Sequence, residues 1–112
     1  MARSIVKKLS VLQERAGIES GEVARLLDTD PETVSRWQTG NHEPQPNHLE
    51  RLLTLDWLIE ELAEFYEPTK ARLWLFTPHR LLGGERPAER IQKGHINDVL
   101  ALIHQLRDGA YA

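Results

Sequence analysis

The sequence predicts an all-α protein in which an N-terminal helix-turn-helix is joined by a long central helix to a small helical domain. No period-two alternation of useful length occurs in the 112 residues, so nothing reads as a strand. Proline and glycine cut the chain into short segments, and between the cuts apolar residues recur at steps of three and four, the spacing of one helix face. A hydrophobic content of 40% beside 28% charged residues belongs to a globular chain rather than a disordered one.

The opening stretch Met1–Leu9 carries Arg3, Lys7 and Lys8 with no apolar run behind them, and it is assigned no element. Two short helices follow in Ser20–Trp37. Helices that cross steeply need a small residue at closest approach, and Ala24 supplies it. Val23 and Leu27 give the first helix its inner side, and Val34 and Trp37 the second. Asp28 stands in the turn where glycine is often used, because Asp tolerates the left-handed conformation better than most side chains. Asp30 and Pro31 form an N-cap and first-turn pair.

Asn41–Asn47 holds two prolines and cannot be helix interior. From His48 to Tyr66 there is no proline or glycine, and Leu49, Leu52, Leu55, Ile59, Leu62 and Tyr66 mark one face. Leu53, Trp57, Leu58, Ala63 and Phe65 widen it, as a central helix requires. Pro68 opens a further helix to about Phe76, and Thr77-Pro78 stops it. Gly83-Gly84 is a loop suited to positive φ, Pro87 restarts a helix that Gly94 caps, and a last helix runs from about His95 to Arg107. The expected divisions are 1–47, 48–67 (a central linking or dimerisation helix) and 68–112.

Several function classes drop out. Without cysteine there is no disulfide framework, iron–sulfur cluster or thiolate zinc site. No two of the five histidines stand four apart, so no metal and no cofactor is expected. Glu60, Glu61, Glu64 and Glu67 read as a solvated helix face. No G-x-S-x-G or phosphate-cradling glycine loop occurs, so an enzyme is not expected. No run approaches the roughly 18 apolar residues of a membrane span, and cytoplasm is the expected compartment, with no membrane partner.

Charge offers nucleic acid no general attraction, with 14 basic residues against 17 acidic and six against seven within residues 1–47. DNA binding must therefore come from a local pattern. With Val34 and Trp37 turned inward, Glu32, Thr33, Ser35, Arg36, Gln38 and Thr39 remain outward, and with Arg25 they form the expected DNA-contacting set. The run Trp37-Gln38-Thr39-Gly40, followed by Glu43-Pro44, resembles the Xre/Cro-type helix-turn-helix family. Ser20 stands where that family often has Gln, and Gln38 where it often has Glu, so the operator sequence stays open. So few cations in one unit require a dimer or larger assembly on two half-sites.

The C-terminal part carries Ala71, Trp74-Leu75-Phe76-Thr77-Pro78, Leu81-Leu82-Gly83-Gly84, Pro87, Ile91 and Gly94, followed by an apolar helix to Leu106. This pattern resembles the toxin-binding domain of Xre-type antitoxins, the MbcA/ParS/Xre group encoded beside RES-domain toxins. The resemblance implies an antitoxin whose partner is a RES-domain toxin that consumes NAD, by hydrolysis, phosphorolysis or ADP-ribose transfer. It also implies that the C-terminal end enters the toxin's active site. Gly109-Ala110-Tyr111-Ala112 is slim and follows a helix directly; without the resemblance it reads as a frayed terminus.

With these four, Trp74, Arg80, Gly83, Gly84 and Arg107 make up the expected toxin-contacting set. Trp74, Phe76 and Leu82 suit a core position better than a contact, and Arg80, Arg86, Arg90, Lys93 and Arg107 suit either solvent or an acidic partner. The expected assembly is a homodimer within a larger hetero-oligomer that also represses its own promoter. The alternative is a stand-alone regulator whose C-terminal helices dimerise or sense a ligand.

Overall fold

The computed structural model describes residues 2–108, with side chains from residue 4. Its helices are α1 (Ala2–Ala16), α2 (Ser20–Leu26), α3 (Pro31–Gln38), α4 (Pro46–Ala63), α5 (Pro68–Leu75), α6 (Pro87–Gln92) and α7 (Ile96–Arg107), with a 3-10 turn at Arg80–Leu82. Among the described residues there is no strand, and no helix is long and apolar enough to cross a membrane.

α1 corrects the sequence reading, which gave Met1–Leu9 no element. Ile5, Leu9, Leu12 and Ala16 recur at four, three and four residues and are all buried. That stripe is diluted by Lys7 and Lys8, and no acidic residue stands in the first turn to mark a start.

Around α2 and α3 the local chemistry governs. The Glu19 N–H donates to the Glu22 carboxylate at 3.1 Å, tying down the entry of α2. Asp28 takes φ +56, the left-handed conformation expected of it, and the Thr29 N–H reaches back to the Ala24 carbonyl at 2.8 Å. Asp30 then accepts from the Thr33 N–H at 2.9 Å and its hydroxyl at 3.0 Å, with Pro31 in the first turn. These bonds hold the Asp30 carboxyl below its ordinary range, chiefly through the Thr33 N–H. Ala24, Val34 and Trp37 are buried at the crossing.

α4 begins two residues before the expected start, since Pro46 needs no donor at a first-turn position. It ends three residues early, where the Glu64 and Phe65 N–H groups bond to the Glu61 and Leu62 carbonyls and tighten the last turn. Leu52, Leu55, Leu58, Ile59 and Leu62 are fully buried, and α1, α5 and α7 pack around them. Leu53, Trp57 and Phe65 stay about half exposed. One cluster of buried apolar side chains runs from Leu12, Val34 and Trp37 through α4 to Leu75, Ile91 and Ile103.

Polar ties join the same helices. The Arg51 guanidinium donates to the carbonyls of Leu26 and Leu27 at 3.2 Å, Ile91 at 2.8 Å and Gln92 at 3.2 Å. It thereby closes the C-terminal ends of both α2 and α6, whose last carbonyls have no partner within their helices. Lys8 of α1 meets the buried Asp56 of α4 at 3.3 Å.

Candidate functional site

One group of the residues singled out in the sequence lies on the outer side of α3. Glu32, Ser35, Arg36, Gln38 and Thr39 are exposed there and Thr33 half-buried, while Arg25 is exposed on α2. Arg25 and Arg36 enter no salt bridge among the described residues. Other members of the set are partly occupied. The Thr33 and Thr39 hydroxyls donate to the Asp30 carboxylate and the Arg36 carbonyl, both at 3.0 Å, and the Ser20 hydroxyl donates to Gln38 Oε1 at 2.8 Å. Gln38 therefore links α3 to the start of α2 through its amide oxygen. Beside Arg36 lies a surface hollow of about 280 Å3, bordered by Thr29, Thr33, His42 and His48. The His48 ring lies 5.9 Å from that of Trp37.

The remaining singled-out residues are spread over α4 to α7 and the 3-10 turn. Trp74 is 8% exposed, a core position, with its ring 5.1 Å from that of His79. Gly83 and Gly84 take φ +67 and +86, which a side chain would resist, and their N–H groups return to the Arg80 and His79 carbonyls. Arg90 secures this loop, donating to the Leu82 carbonyl at 2.9 Å, to Glu85 at 2.6 Å and to Asp98 at 2.7 Å. Lys93 pairs with the same Glu85, whose carboxyl is held below its ordinary range by Lys93 first and Arg90 second. Arg107 is bound to Glu61 and Glu64. Of the five cations considered for a partner surface, Arg80 and Arg86 alone enter no salt bridge among the described residues. Gly109, Ala110, Tyr111 and Ala112 lie outside the described residues.

The acidic face expected on α4 divides. Glu60 and Glu64 are exposed, but Glu61 is only 7% exposed. A carboxylate is buried there because a cation comes to meet it, and that cation sits 46 positions along the chain, beyond the reach of local patterning.

The sequence reading also passed over Leu73. It is 66% exposed and borders a shallow apolar hollow of about 310 Å3 with Tyr66, Lys70 and Trp74. The signal was present: Ala71 and Leu75 face inward one turn apart, and Leu73 falls on the opposite side of α5. Among the described residues no cluster of three or more His, Cys, Asp or Glu is placed to hold a metal ion.

Residues 56–109 match the family described as the antitoxin Xre/MbcA/ParS C-terminal toxin-binding domain, a match that begins within α4. The mycobacterial cidal antitoxin MbcA of Mycobacterium bovis is 36% identical over 98 residues, spanning 88% of this chain and 87% of that protein. A probable mycobacterial cidal antitoxin of Mycobacterium tuberculosis is 30% identical over 95 residues, 85% of this chain and 81% of that one. The crystal structure of the M. tuberculosis MbcT–MbcA toxin–antitoxin complex contains a chain with the same fold, at a TM-score of 0.81 and 34% identity, covering 96% of both chains.

Proposed function

The chain belongs to the Xre/MbcA/ParS antitoxin family, and from that premise we propose that it neutralises a cognate RES-domain toxin by seating Gly109–Ala112 in the toxin's NAD site. The observation that carries this reading is the similarity to the MbcT–MbcA complex, which extends over nearly the whole chain and so includes both groups of residues described above. The inhibition is steric. Three of the four terminal residues have side chains no larger than a methyl group, so they fit a narrow cleft and displace a nucleotide without chemistry of their own. The apolar shelf around Leu73, with Lys70, Arg80 and Arg86 nearby in sequence, supplies the broader docking surface for a toxin with acidic character around its cleft.

The outer face of α3 binds the promoter of the same operon. Arg25 and Arg36 supply the phosphate and base contacts of one unit, which is too few for useful affinity alone. A homodimer within the toxin complex supplies the second half-site, and the half-exposed Leu53 and Trp57 of α4 are its contact.

Co-expression with the toxin encoded beside it tests the reading, with growth and cellular NAD as readouts. The full chain is expected to restore both. A chain lacking Gly109–Ala112 is expected to keep its fold and restore neither. Full protection by the truncated chain overturns the insertion mechanism.

A further inference from the structure

Arg107 occupies the last position of α7, two residues before the terminal four. Its Nη2 donates to carboxylate oxygens of both Glu61 and Glu64 on α4. Glu61 is one of only two charged side chains buried among the described residues; the other, Asp56, is matched by Lys8. One turn earlier on α7, His104 lies against the Trp57 ring, edge-on at 6.2 Å, so α4 holds the end of α7 at two successive levels. The Asp108 N–H still returns to the His104 carbonyl at 2.9 Å, which keeps the helix wound to its final residue.

Left to itself, such a helix end frays. Its last carbonyls have no partners within the helix, and Leu106 is the apolar side chain of the final turn packed against the core. A frayed last turn would add three or four freely rotating residues to whatever follows it. Every one of them would have to be ordered when the terminal segment enters a cleft.

We propose that Arg107 is a positioning residue, acting through Glu61 and Glu64 rather than on the toxin: the clamp fixes the point from which Gly109–Ala112 departs. This rests on the insertion reading above. Arg107 belongs to the expected toxin-contacting set, and the proposal gives it a different task. Its Nη2 is taken up by two carboxylates of its own chain, and one of them, Glu61, is too buried to meet any toxin.

The test separates binding from blocking. Full-length antitoxin carrying Arg107→Gln, Arg107→Lys, Glu64→Gln or a deletion of residues 109–112 is titrated to saturation on the purified toxin. Affinity and residual NAD consumption are measured independently. Arg107→Gln is expected to saturate the toxin yet leave about a tenth of its free rate, as a plug absent a tenth of the time would. Arg107→Lys, which keeps the charge, is expected to restore full inhibition. Amide hydrogen exchange over residues 104–108 of the free antitoxin is expected to quicken in Arg107→Gln and not in Arg107→Lys.

Complete inhibition by saturating Arg107→Gln, however weak its affinity, overturns the proposal and leaves Arg107 a surface contact. Complete inhibition by the deletion variant overturns the insertion reading instead. If Arg107→Gln does not fold, Glu64→Gln, which removes one of the two carboxylates and leaves Glu61 in place, is expected to show the same changes in smaller measure. Full inhibition with unchanged exchange in that variant is then the refuting result.

Discussion

Arg72 of α5 grips Glu22 of α2 with both terminal guanidinium nitrogens, Nη1 at 2.7 Å and Nη2 at 2.6 Å. The same Nη1 also donates to the Gly17 carbonyl at 2.6 Å. A residue of the segment that matches the toxin-binding family thus fixes α2, near the other end of the chain. The Arg72 hydrogen bonds are the main reason the Glu22 carboxyl is held below its ordinary value of 4.5, and burial opposes them.

This pair predicts an acid dependence. Glu22 is more acidic in the folded chain than in the unfolded one. Its contribution is therefore complete above the ordinary value of 4.5 and is lost as pH falls through the depressed folded value. The melting temperature of Arg72→Gln is expected to lie below that of the native chain by a constant margin above about pH 5.5, a margin that narrows as pH drops below about 4. The Arg72 side chain is 42% exposed, so water screens the pair and the loss is on the order of 1 kcal/mol at neutral pH. A margin that widened in acid would contradict the assignment.

Arg51 predicts a larger loss. Its replacement by Met strips charged donors from the carbonyls of Leu26, Leu27, Ile91 and Gln92, in part buried surroundings. Urea unfolding is expected to show a fall of about 2–3 kcal/mol. Arg51→Lys should recover less than half of it, because a compact ammonium cannot span two helix ends as a guanidinium fork does.

The turn between α2 and α3 gives a conformational test. Asp28 stands at φ +56, so a β-branched residue there is strained. Asp28→Val is expected to cost about 1–2 kcal/mol, and Asp28→Gly to stay within about 0.5 kcal/mol of the native chain. Denaturant midpoints measure both.

On the outer face of α3, the proposed function predicts that Arg36→Ala abolishes promoter binding while toxin neutralisation persists, as mobility shift and co-expression growth would read. Any residual complex should show a shallower salt dependence, by about one unit of slope for each phosphate that is no longer neutralised. Gln38→Ala needs Ser20→Ala beside it as a control, since the Ser20–Gln38 bond at 2.8 Å also joins α2 to α3. Weakened binding in both variants assigns the effect to helix geometry; weakened binding in Gln38→Ala alone assigns it to recognition of a base.

What the sequence disclosed and what it hid divide by distance along the chain. The α2–α3 turn was legible because Asp28, Asp30 and Pro31 act on their own neighbours, and the core placement of Trp37 and Trp74 follows from helical spacing. The resemblance to the antitoxin family rested on a motif of the same kind, spread over one segment. α1 escaped notice because two lysines interrupt its apolar stripe. Arg51, Arg72 and Arg107 were opaque as structural ties, because each finds its partners 24 to 55 positions away and most of those partners are backbone carbonyls of no particular residue type. A cation on a helix shows its charge in the sequence but not its destination.

The apolar cluster that threads from Leu12 to Ile103 has a biological corollary. A cut ahead of α4 would leave each fragment with only part of that shared interior. On the function proposed above, promoter binding and toxin neutralisation would then be lost together.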